Sequence, residues 1–202
     1  MLIDDIREIV AARLEVLDGV VALAEERTNI APRLFAPGDD LSCLVLDPRY
    51  PLALTVRDIL KRHPDAHIGV VARGCQERSL IELANWKQLP FEQLEIIGFP
   101  CSAEQAADCR CALPYPEHMV AGEAVQGVAD QVLQDFLAAK TREERFAFWQ
   151  RQFAKCIKCY GCRTICPLCF CDKCAMEQET WVVRGRIPVP FPTFHLIKAI
   201  HT

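Results

Sequence analysis

Apolar residues recur at intervals of three and four through the first stretch, at Ile3, Ile6, Val10, Leu14 and Leu17. The chain is therefore expected to open with an amphipathic helix over residues 3–17, ending before Gly19 and packing on a core. GVVALAEE and NIAPRLF then read as two short extended segments meeting around Thr28 and Asn29. Pro32 favours an edge position for the second, because proline has no N–H to give to an interior ladder. From residue 41 a regular alternation begins: an apolar run LSCLVL, a helix-like PLALTVRDILKRH, a run HIGVV, a helix-like ERSLIELANWKQ and a run LEIIGF. That order is βαβαβ, which predicts an α/β fold with a small parallel sheet, right-handed crossovers and covered faces. Pro114 and Pro116 punctuate a loop, after which GVADQVLQDFLAAK and TREERFAFWQRQFAK read as two helices, Thr141 and Glu144 forming a capping box for the second. Phe146, Trp149 and Phe153 give that helix an aromatic stripe read as core packing. At the end, prolines 188, 190 and 192 mark an extended connector, and Thr193 is placed to cap a final helix on which His195 and His201 read as surface residues. The boundary between the sheet domain and the helical, cysteine-rich remainder is placed between residues 1–125 and 126–202.

In a parallel sheet, binding groups collect in the loops that leave the carboxyl ends of the strands. Those loops are Asp47-Pro48-Arg49-Tyr50, Arg73-Gly74-Cys75-Gln76 and Phe99-Pro100-Cys101-Ser102, so Cys75 and Cys101 are expected on one edge. The stretch EQAADCRCALPYP, read as a loop, returns Cys109 and Cys111 to the same edge. Topology thus predicts a noncontiguous metal site at Cys75, Cys101, Cys109 and Cys111, suited to a [4Fe-4S] cluster; the alternative is four small buried hydrophobes. Cys43, inside an apolar run, reads as core.

A second set of thiols is written contiguously. CIKCYGCRTICPLCFCDKC, Cys156 to Cys174, places seven of the twelve cysteines in nineteen residues. Cys156, Cys159, Cys162 and Cys166 followed by Pro167 have the C-x-x-C-x-x-C-x-x-x-C-P spacing of bacterial ferredoxins. Cys156, Cys159 and Cys162 are read as ligands of one cluster, and Cys166 with Cys169, Cys171 and Cys174 as contributors to another. The eighth ligand then comes from elsewhere in the chain or from a partner subunit, unless one of the seven is not a ligand. A zinc ribbon at Cys156, Cys159, Cys171 and Cys174 is the alternative, and it leaves three cysteines idle. Lys155, Lys158, Arg163 and Lys173 surround these thiols, and Tyr160, Phe170 and Trp181 are candidates to shield them from water. The fold is accordingly read as a small parallel-sheet domain followed by a helical, ferredoxin-like cysteine-rich segment, carrying one or two [4Fe-4S] clusters, or three if the noncontiguous site is real.

Composition narrows the remaining classes. The 202 residues carry a formal charge of −4, so no general basic surface points to nucleic acid. MLIDDIREIV is acidic and unlike a signal peptide, and no apolar run approaches the roughly 20 residues of a membrane span. Clustered cysteines suit a reducing cytoplasm. The sequence shows neither a Gly-rich phosphate loop nor a carboxylate and histidine pair in a recognisable arrangement.

RYPLALTVRDILKRHPDAHIGVVARGCQERSLIELANWKQLPFEQLEIIGFPC resembles the beta-subunit family of deazaflavin-reducing hydrogenases and formate dehydrogenases. The resemblance covers roughly residues 40–200 and is specific in RGCQERSL and in Cys156 to Cys174. It implies an iron–sulfur subunit passing electrons between a partner's redox centre and a flavin, deazaflavin, ferredoxin or heterodisulfide-reductase-type protein. The expected partners are subunits of a hydrogenase, formate dehydrogenase or heterodisulfide-reductase type of complex. FAD is implied by the resemblance alone, and the family's usual second ferredoxin motif does not occur within these 202 residues. The expected function is electron relay without bond chemistry of its own. Its alternatives are a flavin- or deazaflavin-binding oxidoreductase subunit and a zinc-stabilised interaction module.

Overall fold

The chain divides into two units, Met1–Ala129 and Asp130–Thr202, and the computed structural model describes residues 1–128 and 132–180. The expectations for Trp181, the connector prolines, Thr193, His195 and His201 lie outside the described residues.

The first unit is assembled around β1 (Gly19–Glu26), whose first six residues are all buried. Alternation along a strand explains why both faces need cover. Val20, Ala22 and Ala24 join Ile6, Val10 and Leu14 of the first helix and its C-cap, together with Phe35, Leu44, Val71, Ile97 and Phe99, in one core. Val21, Val70 and Ile96, also buried, belong to the opposite face by the same alternation. β2 (Asn29–Phe35) pairs antiparallel with β1, and Pro32 sits on this edge strand as expected. β4 (Ile68–Ala72) and β5 (Leu94–Gly98) extend the sheet in parallel from β1. The order β2-β1-β4-β5 gives a mixed sheet with a parallel centre.

Three expectations are corrected in detail. The first parallel strand is β1, not the run at 41–46: only Leu44–Val45 of that run forms a strand, β3, and it lies antiparallel to Leu23 and Ala24 of β1. A turn precedes it, with the Ser42 N–H donating to Asp40 Oδ1 at 2.8 Å, so little of the run is free to extend. α1 (Leu2–Arg13) ends one turn early. Residues 14–18 instead reverse the chain into β1, where the Asp18 N–H donates to the His67 carbonyl and the His67 N–H to Asp18 Oδ2, at 2.9 and 2.8 Å. Third, two helices, α3 (Gly74–Asn85) and α4 (Ala103–Cys109), begin where loops were expected.

α2 (Ala53–Arg62) buries Ala53, Val56, Ile59 and Leu60, and α3 buries Leu80 and Leu83. Burying each of the larger side chains contributes about 1.5–3 kcal/mol. In the second unit, α5 (Val132–Ala138) is followed by α6 (Arg142–Phe153), opened by the expected capping box: Glu144 N–H donates to Thr141 Oγ1 at 3.2 Å, and Thr141 N–H to Glu144 Oε2 at 2.8 Å. The aromatic stripe of α6 is not core. Phe146 is 51 % and Trp149 39 % exposed, with Trp149 stacked on Phe153 at 5.7 Å between ring centroids. α7 (Gly161–Ile165) lies within the cysteine-rich segment. Among the described residues, no helix is long and apolar enough to cross a membrane.

Candidate metal centres

All twelve cysteines lie among the described residues, and none is in a disulfide. In the first unit, Cys75 lies in the first turn of α3 rather than in a loop. The helix starts early because Gln76 reaches back: Arg73 N–H donates to Gln76 Oε1 at 2.6 Å, closing a capping arrangement. Cys101 follows β5, and α4 begins two residues later. Ser102 Oγ accepts from Gln105 N–H at 3.1 Å while Ser102 N–H donates to Gln105 Oε1 at 2.9 Å. Ser-x-x-Gln at 102–105 is the signal that would have revealed this helix. Cys109 is its last residue, Arg110 takes the left-handed conformation at φ 48°, and Cys111 follows on the returning chain.

The other three thiols, Cys75, Cys109 and Cys111, lie close enough to act on Cys101. Burial pushes the Cys101 thiol up from its ordinary range; the thiolates of Cys75, Cys111 and Cys109 add to this, and the Arg73 guanidinium opposes it. All four cysteines are therefore within electrostatic reach of one point, with arginine charge beside them. Among the described residues no group of three or more His, Cys, Asp or Glu stands ready to hold a single metal ion. A cluster of several irons accepts thiolates farther apart than one ion does, and four thiols with cationic neighbours are the donor set it needs.

A polar network fixes the segments that carry these cysteines. Asp47 Oδ1, in the loop after β3, accepts from Arg73 Nη2 at 2.8 Å and from Gln105 Nε2 at 2.7 Å, tying the starts of α3 and α4 together. Arg73 is 2 % exposed and lies over the Phe99 ring at 4.8 Å, and its buried Nε has no hydrogen-bond partner among the described residues. Arg49 Nη1 donates to Cys109 Sγ at 2.7 Å and to the Gln105 carbonyl at 3.2 Å, while Nη2 lies 3.4 Å from Asp108 Oδ2.

Sequence reasoning missed a second device at this edge. Glu77 on α3 is 2 % exposed and accepts from the N–H groups of Glu117 and His118, at 2.6 and 3.0 Å, and from His118 Nδ1 at 2.6 Å. Burial opposes its charge, but the hydrogen bonds from His118 and the Glu117 and His118 amides outweigh it and hold the Glu77 carboxyl below its ordinary value. The pair pins residues 115–119 across the ends of β4 and β5. There a Cβ on Gly74 would collide with the Tyr115 carbonyl, and one on Gly98 with the His118 carbonyl. Glu77 and His118 are 41 residues apart, so no local signal announces them.

In the second unit, Lys158 and Tyr160 adopt left-handed φ of 55° and 57°, turning the backbone between successive cysteines. Met176, 3 % exposed, packs against Cys156, Tyr160 and Cys174, and Tyr160 Oη donates to the Met176 carbonyl at 3.2 Å. Tyr160 is thereby held against the same Met176 as Cys156 and Cys174. A cavity of about 90 Å³ has Cys169, Cys171 and Cys174 in its lining together with Arg163 and Lys173, and Arg163 pairs with Glu177. Cys162 lies within α7 and Cys166 caps it. Cys43 is half-buried at the rim of the first unit's core.

No protein-family model matches the chain. Over 53 residues it is 47 % identical to the F420-dependent formate dehydrogenase 1 subunit beta of Methanococcus maripaludis, covering 26 % of this chain and 13 % of that one. Over 101 residues it is 30 % identical to the F420-dependent formate dehydrogenase subunit beta of Methanocaldococcus jannaschii, covering 49 % of this chain and 27 % of that one. Part of this chain is distantly similar to F420-dependent formate dehydrogenase beta subunits. The matches span no more than 27 % of these curated relatives.

Proposed function

We propose that the protein is an iron–sulfur electron-transfer subunit of a larger redox complex of hydrogenase, formate dehydrogenase or heterodisulfide-reductase type, working in a reducing cytoplasm. The carrying observation is that Asp47 ties the starts of α3 and α4 together, with Cys75, Cys109 and Cys111 close enough to Cys101 to act on its thiol. Isolated small hydrophobes have no reason to meet beside a buried arginine, whereas four thiolates binding a net-negative cluster do. The ferredoxin spacing at Cys156 to Cys174 and the similarity to formate dehydrogenase beta subunits support the same reading.

When bound, the clusters supply one-electron storage at each centre. The chain's own part is to hold and tune them. In the first unit, Cys75, Cys101, Cys109 and Cys111 are the ligands, Arg49 and Arg73 balance thiolate charge, and Asp47 holds Arg73 and Gln105 in register. In the second, Cys156, Cys159 and Cys162 form one ligand set, and Cys166, Cys169, Cys171 and Cys174 contribute to another, with Tyr160 and Met176 limiting solvent access.

FAD rests on the family resemblance. In a parallel sheet a dinucleotide's phosphates sit at the start of the helix after a strand, and at α3 the Tyr115 carbonyl packs against Gly74.

The test is iron, zinc and acid-labile sulfide per chain, with the visible spectrum, on protein purified without oxygen. About eight irons with matching sulfide are expected for one cluster in each unit, and about twelve if the second unit holds two. One zinc without sulfide, after anaerobic expression with iron supplied, would replace electron transfer with a structural zinc module. A flavin spectrum would establish the flavin-binding alternative.

A further inference from the structure

Arg49 is singled out by where it points. It leaves the loop after β3, crosses to the carboxyl end of α4, and its guanidinium is held there by two oxygens, the Gln105 carbonyl at 3.2 Å and Asp108 Oδ2 at 3.4 Å. These contacts aim Nη1 at the sulfur of Cys109, 2.7 Å away. Asp108 alone would account for an ordinary surface pair, worth little at 38 % exposure of the arginine. The sulfur contact is different in kind, because the acceptor is a proposed ligand of the metal centre.

We propose that Arg49 is a positioning and potential-setting residue for the centre at Cys75, Cys101, Cys109 and Cys111, donating an N–H to the Cys109 sulfur that strengthens when the centre takes up an electron. This rests on the reading of those four cysteines as metal ligands. One-electron reduction adds negative charge that spreads onto the ligating sulfurs, so a donor already aimed at a sulfur stabilises the reduced form more than the oxidised form. The reduction equilibrium shifts toward the reduced state, and the potential rises. Arg73 acts on the same centre differently: its charge is buried beside Cys101, but its Nη2 is committed to Asp47, so it supplies a field that Asp47 partly offsets. Lysine at position 49 would keep the charge without the planar fork that reaches sulfur and carbonyl together.

The experiment is a redox titration of the full-length holoprotein, followed by the electron paramagnetic resonance of its reduced clusters, on wild type, R49Q, R49K and C101S. The wave missing from C101S identifies the first unit's centre. R49Q is expected to keep its iron and sulfide and to lower that wave's reduction equilibrium about tenfold, which for one electron is about 59 mV. R49K is expected to fall between wild type and R49Q. Full iron with an unmoved wave in R49Q would overturn the proposal, as would iron lost from both Arg49 variants, which would make Arg49 scaffold. If only R49Q loses iron, the R49K wave decides by the same criterion. C101S that retains all iron and sulfide would instead remove the four-cysteine reading itself.

Discussion

The four grouped cysteines of the first unit come from the start of α3, the chain just after β5, the end of α4 and the chain beyond it, whereas the seven of the second follow one another within nineteen residues. The first set is held by long-range bonds, Asp47 to Arg73 and Gln105, Arg49 to Cys109, and Glu77 to His118. The second relies on local turns and on Met176 packing against Cys156, Tyr160 and Cys174. The contrast teaches how each would fail. A centre pooled from distant segments depends on the whole fold of its unit and can be tuned by residues remote in sequence. A contiguous segment of thiols can organise around its own clusters, because metal binding itself supplies folding free energy.

The strongest way to break the comparison is to remove one ligand from each set. C101S should lose about four irons while leaving the second unit's content intact, and C159S should lose second-unit iron while leaving the first. Parallel loss of iron in both variants would show that the sets are interdependent. Next in size is Glu77→Ala, which strands the Glu117 and His118 amides at a cost of about 2–4 kcal/mol. Chemical denaturation should show this loss in the first unit's transition, together with lower iron at its centre alone.

The Glu77 contribution also carries a pH signature. Its folded value is held below the ordinary one, so its stabilisation is complete above the usual glutamate range, about 4.3, and is lost as pH falls through the folded value. Glu77→Gln should flatten that acid limb in a stability-against-pH series, and an unchanged limb would assign it to other carboxylates. Gly74→Ala forces a methyl against the Tyr115 carbonyl and should cost about 1–3 kcal/mol, with the second unit's iron unaffected. The smallest expected effect is Thr141→Ala, about 1 kcal/mol from the lost cap of α6, measured as reduced protection of the first-turn amides in hydrogen exchange.

The period of apolar residues was enough to place α1, α2, β4 and β5, since those segments bury one face or one continuous run, and the Thr141 and Glu144 capping box marked the start of α6. It misassigned the first parallel strand because LSCLVL and GVVALAEE are both short apolar runs. Nothing local says which of them will lie between two neighbours. The grouping of Cys75, Cys101, Cys109 and Cys111 was legible only through topology, from the rule that loops at one edge share a neighbourhood. The aromatic stripe of α6 read as core because spacing reports a face but not what covers it.

The sequence by itself determined the residue types in play: twelve cysteines, a ferredoxin spacing, and an alternation of strand and helix that sends the loops after β4 and β5 to one edge. Those are properties of residue type and short separation, which local physics can express. Only the tertiary structure decided that Arg49 would meet Cys109 across 60 residues and Glu77 meet His118 across 41. Such pairs depend on which loops the sheet brings together, and no periodicity records a contact between side chains that become neighbours only after the strands have chosen theirs.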